Sequence, residues 1–406
     1  MSSDGGAAGT AASEYARHWA LDPGIAFLNH GSFGACPIPV LEAQAQIRER
    51  MERQPVRFFV RELEDLLDTA RTDLARFIGA DPEGLAFVAN ATTGANAILR
   101  SLKFQRGDEL LTTNHAYNAC RNALELAASS NGARVLVAQL PFPIRSPEEA
   151  IASVINQLTT RTRLALIDHV TSPTALILPI AQLVAELDRV GVDTLVDGAH
   201  APGMLALDVK SIGAAYYVGN CHKWLCAPKG AGFLCVREDK RGSIRPLTIS
   251  HGANSPRSDR SRFRLEFDWT GTDDPSPYLC VPEAIRFMGS LLPGGWPELM
   301  SRNRAMALRG RDALCRALRV PAPAPDGMLG SMAALPIWDG SPEPPSSSLY
   351  ADPLQTELLK KPGIEIPLVP WPAPPKRLVR ISAQLYNHDA QYELLANALR
   401  ERLRFS

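Results

Sequence analysis

The clearest hydrophobic pattern in the chain lies between Arg57 and Ile78. Its apolar residues recur three or four positions apart, which places them on one face of a helix. They are Phe59, Leu63, Leu66, Leu67, Ala70, Leu74 and Phe77. Gly79 follows, and a glycine there is typical of the left-handed residue that ends a helix. The pattern therefore predicts a helix over 57–78.

Beyond this helix, short apolar runs alternate with helical segments. The runs predict seven strands: Leu85–Ala89, Glu109–Thr113, Arg134–Gln139, Leu164–Val170, Thr194–Val196, Ala215–Gly219 and Gly232–Val236. Helices are predicted between the first five of them, over Gly94–Leu102, Cys120–Ser129, Pro147–Leu158 and Ile180–Val190. Strands joined by helices are typical of an α/β fold, in which helices cover both faces of a mainly parallel sheet. Ligands of such sheets bind at the carboxyl ends of the strands.

The pattern changes after Pro275. Helices are predicted over Val281–Leu292 and Trp296–Leu318, then a Pro-rich passage (Pro321–Pro325 and Pro342–Pro345), strands over Gly363–Val369 and Leu378–Ser382, and a last helix over Asp389–Arg404. This succession of helices, a Pro-rich passage and strands favours a smaller α+β domain. We therefore expect a disordered tail over 1–14, a large α/β domain over 15–275 and a small domain over 276–406. The segment 15–56 is a candidate to pack on the small domain.

Composition narrows the classes of function. The chain has 406 residues, and its 43 basic and 43 acidic side chains cancel to a net charge of zero. Nucleic-acid-binding proteins concentrate basic residues, so this balance argues against such a partner. No stretch has the length and apolarity of a membrane span, and the first dozen residues do not resemble a secretory signal. The seven cysteines are scattered, without metal-ligand spacing, which favours a reducing cytoplasm and no metal site.

Two motifs at strand ends are candidates for chemistry. Asp197 follows a predicted strand directly and precedes a glycine, so its carboxylate is expected at the mouth of the sheet. Taken alone, an Asp-Gly pair is more often a turn or a helix cap. Lys223 is the single formally charged residue between Ala215 and Pro228. Burial in apolar surroundings lowers the pKa of an amine and makes it a nucleophile, although a single lysine more often extends to solvent.

Taken together, these motifs match the needs of pyridoxal phosphate. This cofactor requires a Schiff-base lysine, a carboxylate for its pyridine nitrogen, a phosphate cradle and usually a flat side chain over its ring. Ala91-Thr-Thr-Gly94 joins a strand end to a helix start, where free amides favour a phosphate. His115 or Tyr117, just after the next strand, could supply the flat group. Either could instead be an ordinary loop residue.

The motifs resemble those of the class V aminotransferase group of fold-type I pyridoxal-phosphate enzymes, and most of all its isopenicillin N epimerase-like branch, which includes cysteine-type C–S lyases. The branch-like segments are Phe27-Leu-Asn-His-Gly-Ser-Phe-Gly34 and Gln54-Pro-Val-Arg-Phe-Phe59. The group-wide elements are Ala91-Thr-Thr-Gly94, Asp197-Gly-Ala-His200 and His222-Lys223. The resemblance runs from about Phe27 to the last helix.

The resemblance implies a role for each matching residue. Lys223 would bind the cofactor covalently and move the α-proton, Asp197 would pair with the pyridinium, and His200 would lie beside the ring's phenolic oxygen. His115 would stack on the ring, with Tyr117 as the alternative. The phosphate would be bound by Thr92, Thr93, Asn220 and His222, together with Thr272 from the second subunit of a homodimer. Arg380 would bind the substrate α-carboxylate, and Asn29, His30 and Ser32 are further candidates for substrate contacts.

Departures from the family pattern narrow the set of reactions that the chain is expected to catalyse. Persulfide-forming relatives carry a cysteine shortly before the arginine strand, but residues 363–371 contain none, which argues against a desulfurase. Ser172 stands where many relatives carry an asparagine near the ring oxygen.

The resemblance to this branch favours epimerisation of an amino-acid substrate, with a C–S lyase as the alternative and an aminotransferase less favoured. Epimerisation needs a second proton carrier, for which His115, Tyr117 and His30 are candidates. A nicotinamide dehydrogenase is disfavoured, since no G-x-G-x-x-G motif opens a helix.

Overall fold

The computed structural model describes residues 13–343 and 352–403. The predicted tail over 1–14 falls outside the described residues except for its last two positions, and so do the end of the Pro-rich passage and the end of the last predicted helix. None of the described helices combines the length and apolar character needed to span a membrane.

The described residues form twelve strands. They are β1 (Ala26–Phe27), β2 (Leu85–Val88), β3 (Glu109–Thr113), β4 (Arg134–Ala138), β5 (Thr162–Asp168), β6 (Asp193–Gly198), β7 (Tyr216–Asn220), β8 (Gly232–Val236), β9 (Met332–Ile337), β10 (Ile364–Glu365), β11 (Leu368–Pro370) and β12 (Arg377–Ser382). All seven strands predicted before residue 275 are among them.

Fifteen α-helices connect and cover these strands. They are α1 (His30–Phe33), α2 (Ile38–Arg53), α3 (Pro55–Arg57), α4 (Leu63–Ile78), α5 (Ala91–Ser101), α6 (Asn118–Ser130), α7 (Pro147–Ile155), α8 (Ile180–Arg189), α9 (Val209–Ile212), α10 (Arg262–Phe267), α11 (Ser276–Leu279), α12 (Val281–Ser290), α13 (Gly295–Leu318), α14 (Pro353–Lys360) and α15 (Asp389–Leu403). Short 3₁₀ segments lie at Ala16–His18, Pro82–Gly84, Glu238–Ser243, His251–Asn254 and Asp326–Met328.

The central sheet has seven strands in the order β2-β8-β7-β6-β5-β3-β4. The five strands from β7 to β4 are parallel, and β8 runs antiparallel to both of its neighbours. The predicted mainly parallel sheet is therefore confirmed. Its parallel strands point their carboxyl ends toward one edge, where the loops that carry the predicted motifs begin.

The strands are apolar throughout because helices cover both faces of the sheet. Neighbouring residues along a strand belong to different core clusters: Leu166 and Leu195 pack on one side, while Ile167 and Val196 pack on the other. Helices α5 and α6 cover the first side, since their residues Ala95, Ile98, Cys120 and Leu124 join Leu166 and Leu195 in one cluster. This arrangement sets which side of the sheet each strand-end side chain faces.

A second sheet of three antiparallel strands, in the order β11-β12-β9, forms from residues after 330. Strand β1 pairs in parallel with β10, so the N-terminal segment does contact the C-terminal part of the chain. The boundary near residue 275 stays a prediction. The predicted strand over 363–369 is wrong as a single element, because β10 and β11 belong to different sheets, with Pro367 between them.

Several other elements differ from the sequence prediction. The helix predicted over 57–78 begins with a π-helical turn at Phe58–Glu62, and only α4 is regular. Gly79 ends it with a φ of 62°, as expected. Helix α2 has no clear apolar stripe, because its buried residues are only Val40, Gln44 and Met51. Strand β9 contains Pro336, which an edge strand tolerates and which obscures the strand pattern.

Candidate active site

A cavity of about 450 Å³ lies at the carboxyl edge of the parallel strands. Most of the predicted site residues line it. The lining residues are Ser32, Phe33, Asn90, Ala91, Thr92, Thr93, Tyr117, Asp168, Val170, Ser172, Asp197, Ala199, His200, Asn220, His222 and Lys223. They come from segments that are far apart in sequence, so the fold assembles the site from the strand ends and from α1 and α5.

Asp197 is buried at the end of β6, with 3% of its surface exposed. One carboxylate oxygen, Oδ1, accepts a hydrogen bond from the Ala199 amide at 3.0 Å. The other oxygen, Oδ2, accepts one from the Cys120 thiol at 3.1 Å. Burial and the neighbouring Asp197 raise the pKa of Cys120 well above its ordinary value, so the thiol keeps its proton and remains a donor. Each oxygen of this buried carboxyl therefore has one hydrogen-bond donor within the protein.

Lys223 follows β7 by three residues, and its amine lies 3.2 Å from Nε2 of His200. Trp224 donates its indole N–H to the other ring nitrogen of His200 at 3.4 Å. Burial and the charge of Lys223 keep the pKa of His200 well below its ordinary value, so the ring is neutral. Its remaining proton then lies on Nε2 and is donated to the amine, which favours uncharged Lys223. Burial and the charge of Arg380 lower the pKa of Lys223 to about 8.

The start of α5 forms the wall opposite this loop. Asn90 caps the helix by accepting the Thr93 amide at 2.8 Å, and Asn220 accepts the Ala91 amide at 2.8 Å. The Thr92 amide has no acceptor among the described residues. A side chain at Gly94 would meet Val218 at 2.8 Å, so this glycine lets α5 pack closely on β7. The Thr93 hydroxyl also donates to Asn90, at 3.1 Å, so the helix start offers the amide and the hydroxyl of Thr92 to a bound anion.

Arg380 lies on β12 and is buried behind the residues that line the cavity. Its guanidinium donates to the carbonyl and hydroxyl of Ser172, at 2.6 Å and 3.1 Å, and to the hydroxyl of Ser32 at 2.9 Å. Ser32 in turn donates to Asn29 at 2.5 Å. The Nε atom of Arg380 is buried without a hydrogen-bond partner among the described residues. Burial lowers the pKa of Arg380 to about 10, which still leaves it charged at neutral pH.

Two of the predicted histidines lie away from the cavity, unlike Tyr117. His115 is fully buried, with its ring nitrogens 2.7 Å from the hydroxyl of Thr174 and 3.1 Å from the carbonyl of Leu140, and it does not line the cavity. Tyr117 does line it and is 44% exposed. His30 is also fully buried: its ring contacts the hydroxyl of Tyr386 at 2.8 Å and the backbone carbonyl of Lys223 at 3.0 Å.

These placements bear on the open alternatives. Both ring nitrogens of His115 and of His30 contact protein groups, so neither imidazole has a free nitrogen atom for a ligand in the cavity. His30 instead holds the backbone of the Lys223 loop. Ser172 accepts a hydrogen bond from Arg380 and also lines the cavity. Thr272 is exposed and does not line the cavity of its own chain.

The sequence interpretation missed Asp168 and Phe33, which line this cavity, and Cys120, which contacts Asp197 without lining it. Asp168 ends β5 next to Asp197, Cys120 donates to Asp197 from α6, and Phe33 is 66% exposed at the cavity wall. The sequence does contain a pattern that indicates Asp168, since Leu166-Ile-Asp168 ends an apolar run with an aspartate just as Leu195-Val-Asp197 does. Its predicted strand ran to Val170, which placed Asp168 inside the strand instead of at its end.

The donor set fits pyridoxal phosphate. An amine with a lowered pKa, a buried carboxyl with a hydrogen-bond donor to each oxygen and the start of α5 lie around one cavity. These are the groups needed by the aldehyde, the ring nitrogen and the phosphate of that cofactor. His222 adds a ring whose Nδ1 donates to the carbonyl of Ala231 at 2.9 Å, which leaves Nε2 for the cavity.

Comparisons with known proteins agree with this arrangement. A model of the aminotransferase class-V family matches residues 36–268. The chain is 37% identical over 395 residues to isopenicillin N epimerase of Amycolatopsis lactamdurans, covering 94% of this chain and 96% of that protein. It is 34% identical over 410 residues to a probable chloroplastic L-cysteine desulfhydrase of Arabidopsis thaliana, covering 95% of this chain and 84% of that protein.

A solved structure confirms the fold class. A C-DES mutant with glycine covalently linked to its pyridoxal-phosphate cofactor superposes with a TM-score of 0.75 at 22% identity. The match covers 93% of this chain and 96% of that one. The architecture is that of the fold-type I pyridoxal-phosphate enzymes.

Proposed function

Because the chain belongs to the class V aminotransferase family, we propose that it is a pyridoxal-phosphate-dependent epimerase acting at the α-carbon of an amino-acid substrate. The observation that supports this most directly is the meeting of three groups at one cavity. They are the amine of Lys223, the carboxyl of Asp197 and, behind Ser32 and Ser172, the guanidinium of Arg380. The 37% identity to an isopenicillin N epimerase over nearly the whole chain favours epimerisation as the leading reaction.

We propose that Lys223 both binds the cofactor and moves the α-proton. When bound, pyridoxal phosphate withdraws electrons from the α-carbon of an attached amino acid, so that a substituent of that carbon can leave. With its pKa lowered to about 8, the Lys223 amine is uncharged in a useful fraction of molecules near neutral pH. His200 and the backbone contact of His30 hold this amine in place.

Asp197 would pair with the ring nitrogen of the cofactor, and the start of α5 would bind its phosphate. Thr92 and Thr93 supply the helix-start groups, while Asn220 and His222 lie across from them. Asn220 also holds the Ala91 amide, so it fixes the position of α5 relative to β7. These residues bind and orient the cofactor without taking part in proton transfer.

Arg380 would bind the substrate α-carboxylate. Its charge and planar fork suit a carboxylate, and Ser32 and Ser172 orient the fork. Its buried Nε–H, which has no acceptor in the part of the chain that the structure describes, supports this role. Asn29 fixes Ser32, so it acts on the substrate indirectly.

Tyr117 is our proposed second proton carrier, and also the side chain that faces the cofactor ring. Of the three candidates, it alone lines the cavity. Burial and the neighbouring groups Cys120 and Asp197 raise its pKa. A phenol that keeps its proton at neutral pH can donate it to an α-carbon, as epimerisation requires.

A C–S lyase is the second candidate, favoured by the 34% identity to a probable L-cysteine desulfhydrase. Its first step uses the same residues, since the α-proton must leave before a β-substituent is lost. Residues 363–371 contain no cysteine, so a persulfide on that loop is not available. The lyase alternative is therefore a simple β-elimination that releases pyruvate.

One assay separates the two reactions. The purified holoenzyme is incubated in heavy water with sulfur-containing amino acids and with peptides that end in an amino-acid α-carboxylate. An epimerase exchanges the α-proton for deuterium and returns the amino acid as a mixture of stereoisomers. We expect this exchange without pyruvate release. Pyruvate or sulfide formed in step with substrate loss, with no exchanged amino acid recovered, would contradict epimerisation and support the lyase.

We further propose that the enzyme is a homodimer that works in the cytoplasm, with Thr272 reaching the phosphate site of the partner subunit. The exposed apolar residues Leu247 and Val60 line two adjoining pockets that share Trp269, and residues 270, 271 and 273 of this loop line the first of them. Such a patch is typical of a protein interface. All seven cysteines are free, and six of them are buried, which suits a reducing compartment.

A further inference from the structure

A second buried carboxyl group, that of Asp168, lies beside Asp197. Asp168 is the last residue of β5, and it pairs in register with Asp197 on the neighbouring parallel strand β6. Paired residues of parallel strands point to the same side, about 4.8 Å apart at the backbone. The side chains of Asp168 and Asp197 are 2% and 3% exposed, and both line the cavity. Two acids therefore share one end of the site.

Their hydrogen bonds are unequal. Both oxygens of Asp197 accept hydrogen bonds, from the Ala199 amide and the Cys120 thiol. Asp168 receives one from the Tyr117 amide, while its Oδ1 atom is buried without any partner among the described residues. A carboxylate is stabilised by donors to each oxygen, whereas an oxygen without a donor favours the protonated form.

We propose that Asp168 keeps its proton beside a charged Asp197, so that the two carboxyls together present one negative charge to the cavity. This inference rests on the proposed function, because the charge is matched to the single positive charge of the cofactor's ring nitrogen. Oδ1 has no partner among residues 13–343 and 352–403, so a proton carried on it can be donated to a group bound in the cavity. Asp168 is thus a further cofactor-site residue.

The surrounding charges agree with this assignment. Burial and the negative charge of Asp197 raise the pKa of Asp168 well above its ordinary value, against the weaker attraction of Lys223. The groups that face the pair from other elements are Cys120 on α6, the Tyr117 amide and the Lys223 amine. Burial raises the pKa of the Cys120 thiol well above its ordinary value, so it stays protonated, while burial and the charge of Arg380 lower the pKa of Lys223 to about 8.

A single negative charge on the Asp168–Asp197 pair also favours binding of the anionic substrate. Arg380 must hold the α-carboxylate of the substrate at the same cavity. Two charged carboxylates would repel that anion more strongly than one does. A neutral Asp168 keeps the shape of the site and its contact with the Tyr117 backbone, and it removes the extra repulsion.

The test compares two matched substitutions, Asp168→Asn and Asp197→Asn, each of which replaces a carboxyl with a neutral amide of the same size. The readouts are the dissociation constant for pyridoxal phosphate and the absorption spectrum of the bound cofactor. The Asp168→Asn protein should bind the cofactor within about threefold of wild type, because the charge of the site is unchanged. The Asp197→Asn protein should bind it at least about tenfold more weakly and with an altered spectrum, because a charge-assisted hydrogen bond is lost.

Each outcome decides the question. Equal weakening by both substitutions would mean that Asp168 also carries charge, and it would overturn this inference while leaving the proposed function intact. A wild-type protein that fails to bind pyridoxal phosphate would overturn both. If Asp168→Asn does not fold, the infrared spectrum of the wild-type holoenzyme at neutral pH decides. A carbonyl band of a protonated carboxylic acid is required, and its absence contradicts the proposal.

Discussion

Lys223→Ala is expected to lose about 10³-fold or more in turnover, because it removes both the amine that binds the cofactor and the group that moves the α-proton. The protein should also lose the absorbance of covalently held cofactor. Turnover is measured by α-proton exchange in heavy water, and cofactor attachment is measured by the absorption spectrum after gel filtration.

Lys229→Ala is the matched control for this substitution. Lys229 lies six residues further along the same loop, is exposed and donates its amine to the carbonyl of Gly34 at 2.9 Å. It does not line the cavity. Its replacement should leave both readouts close to wild type. A Lys223→Ala protein that keeps a tenth of wild-type turnover would contradict the role given to this amine.

Arg380→Lys is expected to lower kcat/KM by about 100-fold, because lysine keeps the positive charge but cannot form the two parallel hydrogen bonds of a guanidinium to a carboxylate. Affinity for pyridoxal phosphate should stay near the wild-type value, since Asp197, Lys223 and the start of α5 are untouched. Steady-state kinetics and a cofactor titration measure the two effects separately.

Arg377→Lys is the matched control on the same strand. Arg377 donates to both oxygens of Asp352, at 2.8 Å and 2.9 Å, and lies outside the cavity lining. Its replacement should affect the stability of the fold more than kcat/KM. If Arg380→Lys has wild-type kcat/KM, or if it loses cofactor affinity instead, then Arg380 does not bind the substrate carboxylate.

The sheet was predictable because its strands are apolar on both faces. A continuous apolar run between turn residues remains visible whichever way each side chain points. Asp197 and Lys223 were found for a related reason, since each is a charged residue next to such a run. Strand β9 and helix α2 escaped prediction because a proline interrupts the first and charged residues dilute the apolar positions of the second.

Side-chain direction after a strand could not be predicted. His115 and Tyr117 follow β3 by two and four residues, and the sequence left both as candidates for the ring-facing group. The loop conformation sends His115 to Thr174 and Leu140 and leaves Tyr117 at the cavity. The same holds in α1, where Ser32 contacts the guanidinium of Arg380 while His30, two residues earlier, contacts the backbone carbonyl of Lys223.

Long-range contacts were also beyond the sequence pattern. The hydrogen bond between Arg380 and Ser32 joins positions 348 residues apart. No pattern of neighbouring residues in the sequence predicts such a contact. The pairing of Asp168 with Asp197 depends on the register of two strands, which a shift of one residue would abolish. The resemblance to a family implies that Arg380 binds the substrate carboxylate. The structure shows the neighbouring hydroxyls, those of Ser172 and Ser32, that orient its guanidinium.

Borohydride reduction of the wild-type holoenzyme tests the central claim most directly. The reagent fixes the cofactor irreversibly to the amine that holds it, and peptide mass spectrometry then locates the modified lysine. The account predicts a pyridoxyl group on the peptide that contains Lys223 and on no other lysine. Fixation on Lys229 or another lysine, or a colourless protein with no fixed cofactor, would contradict it.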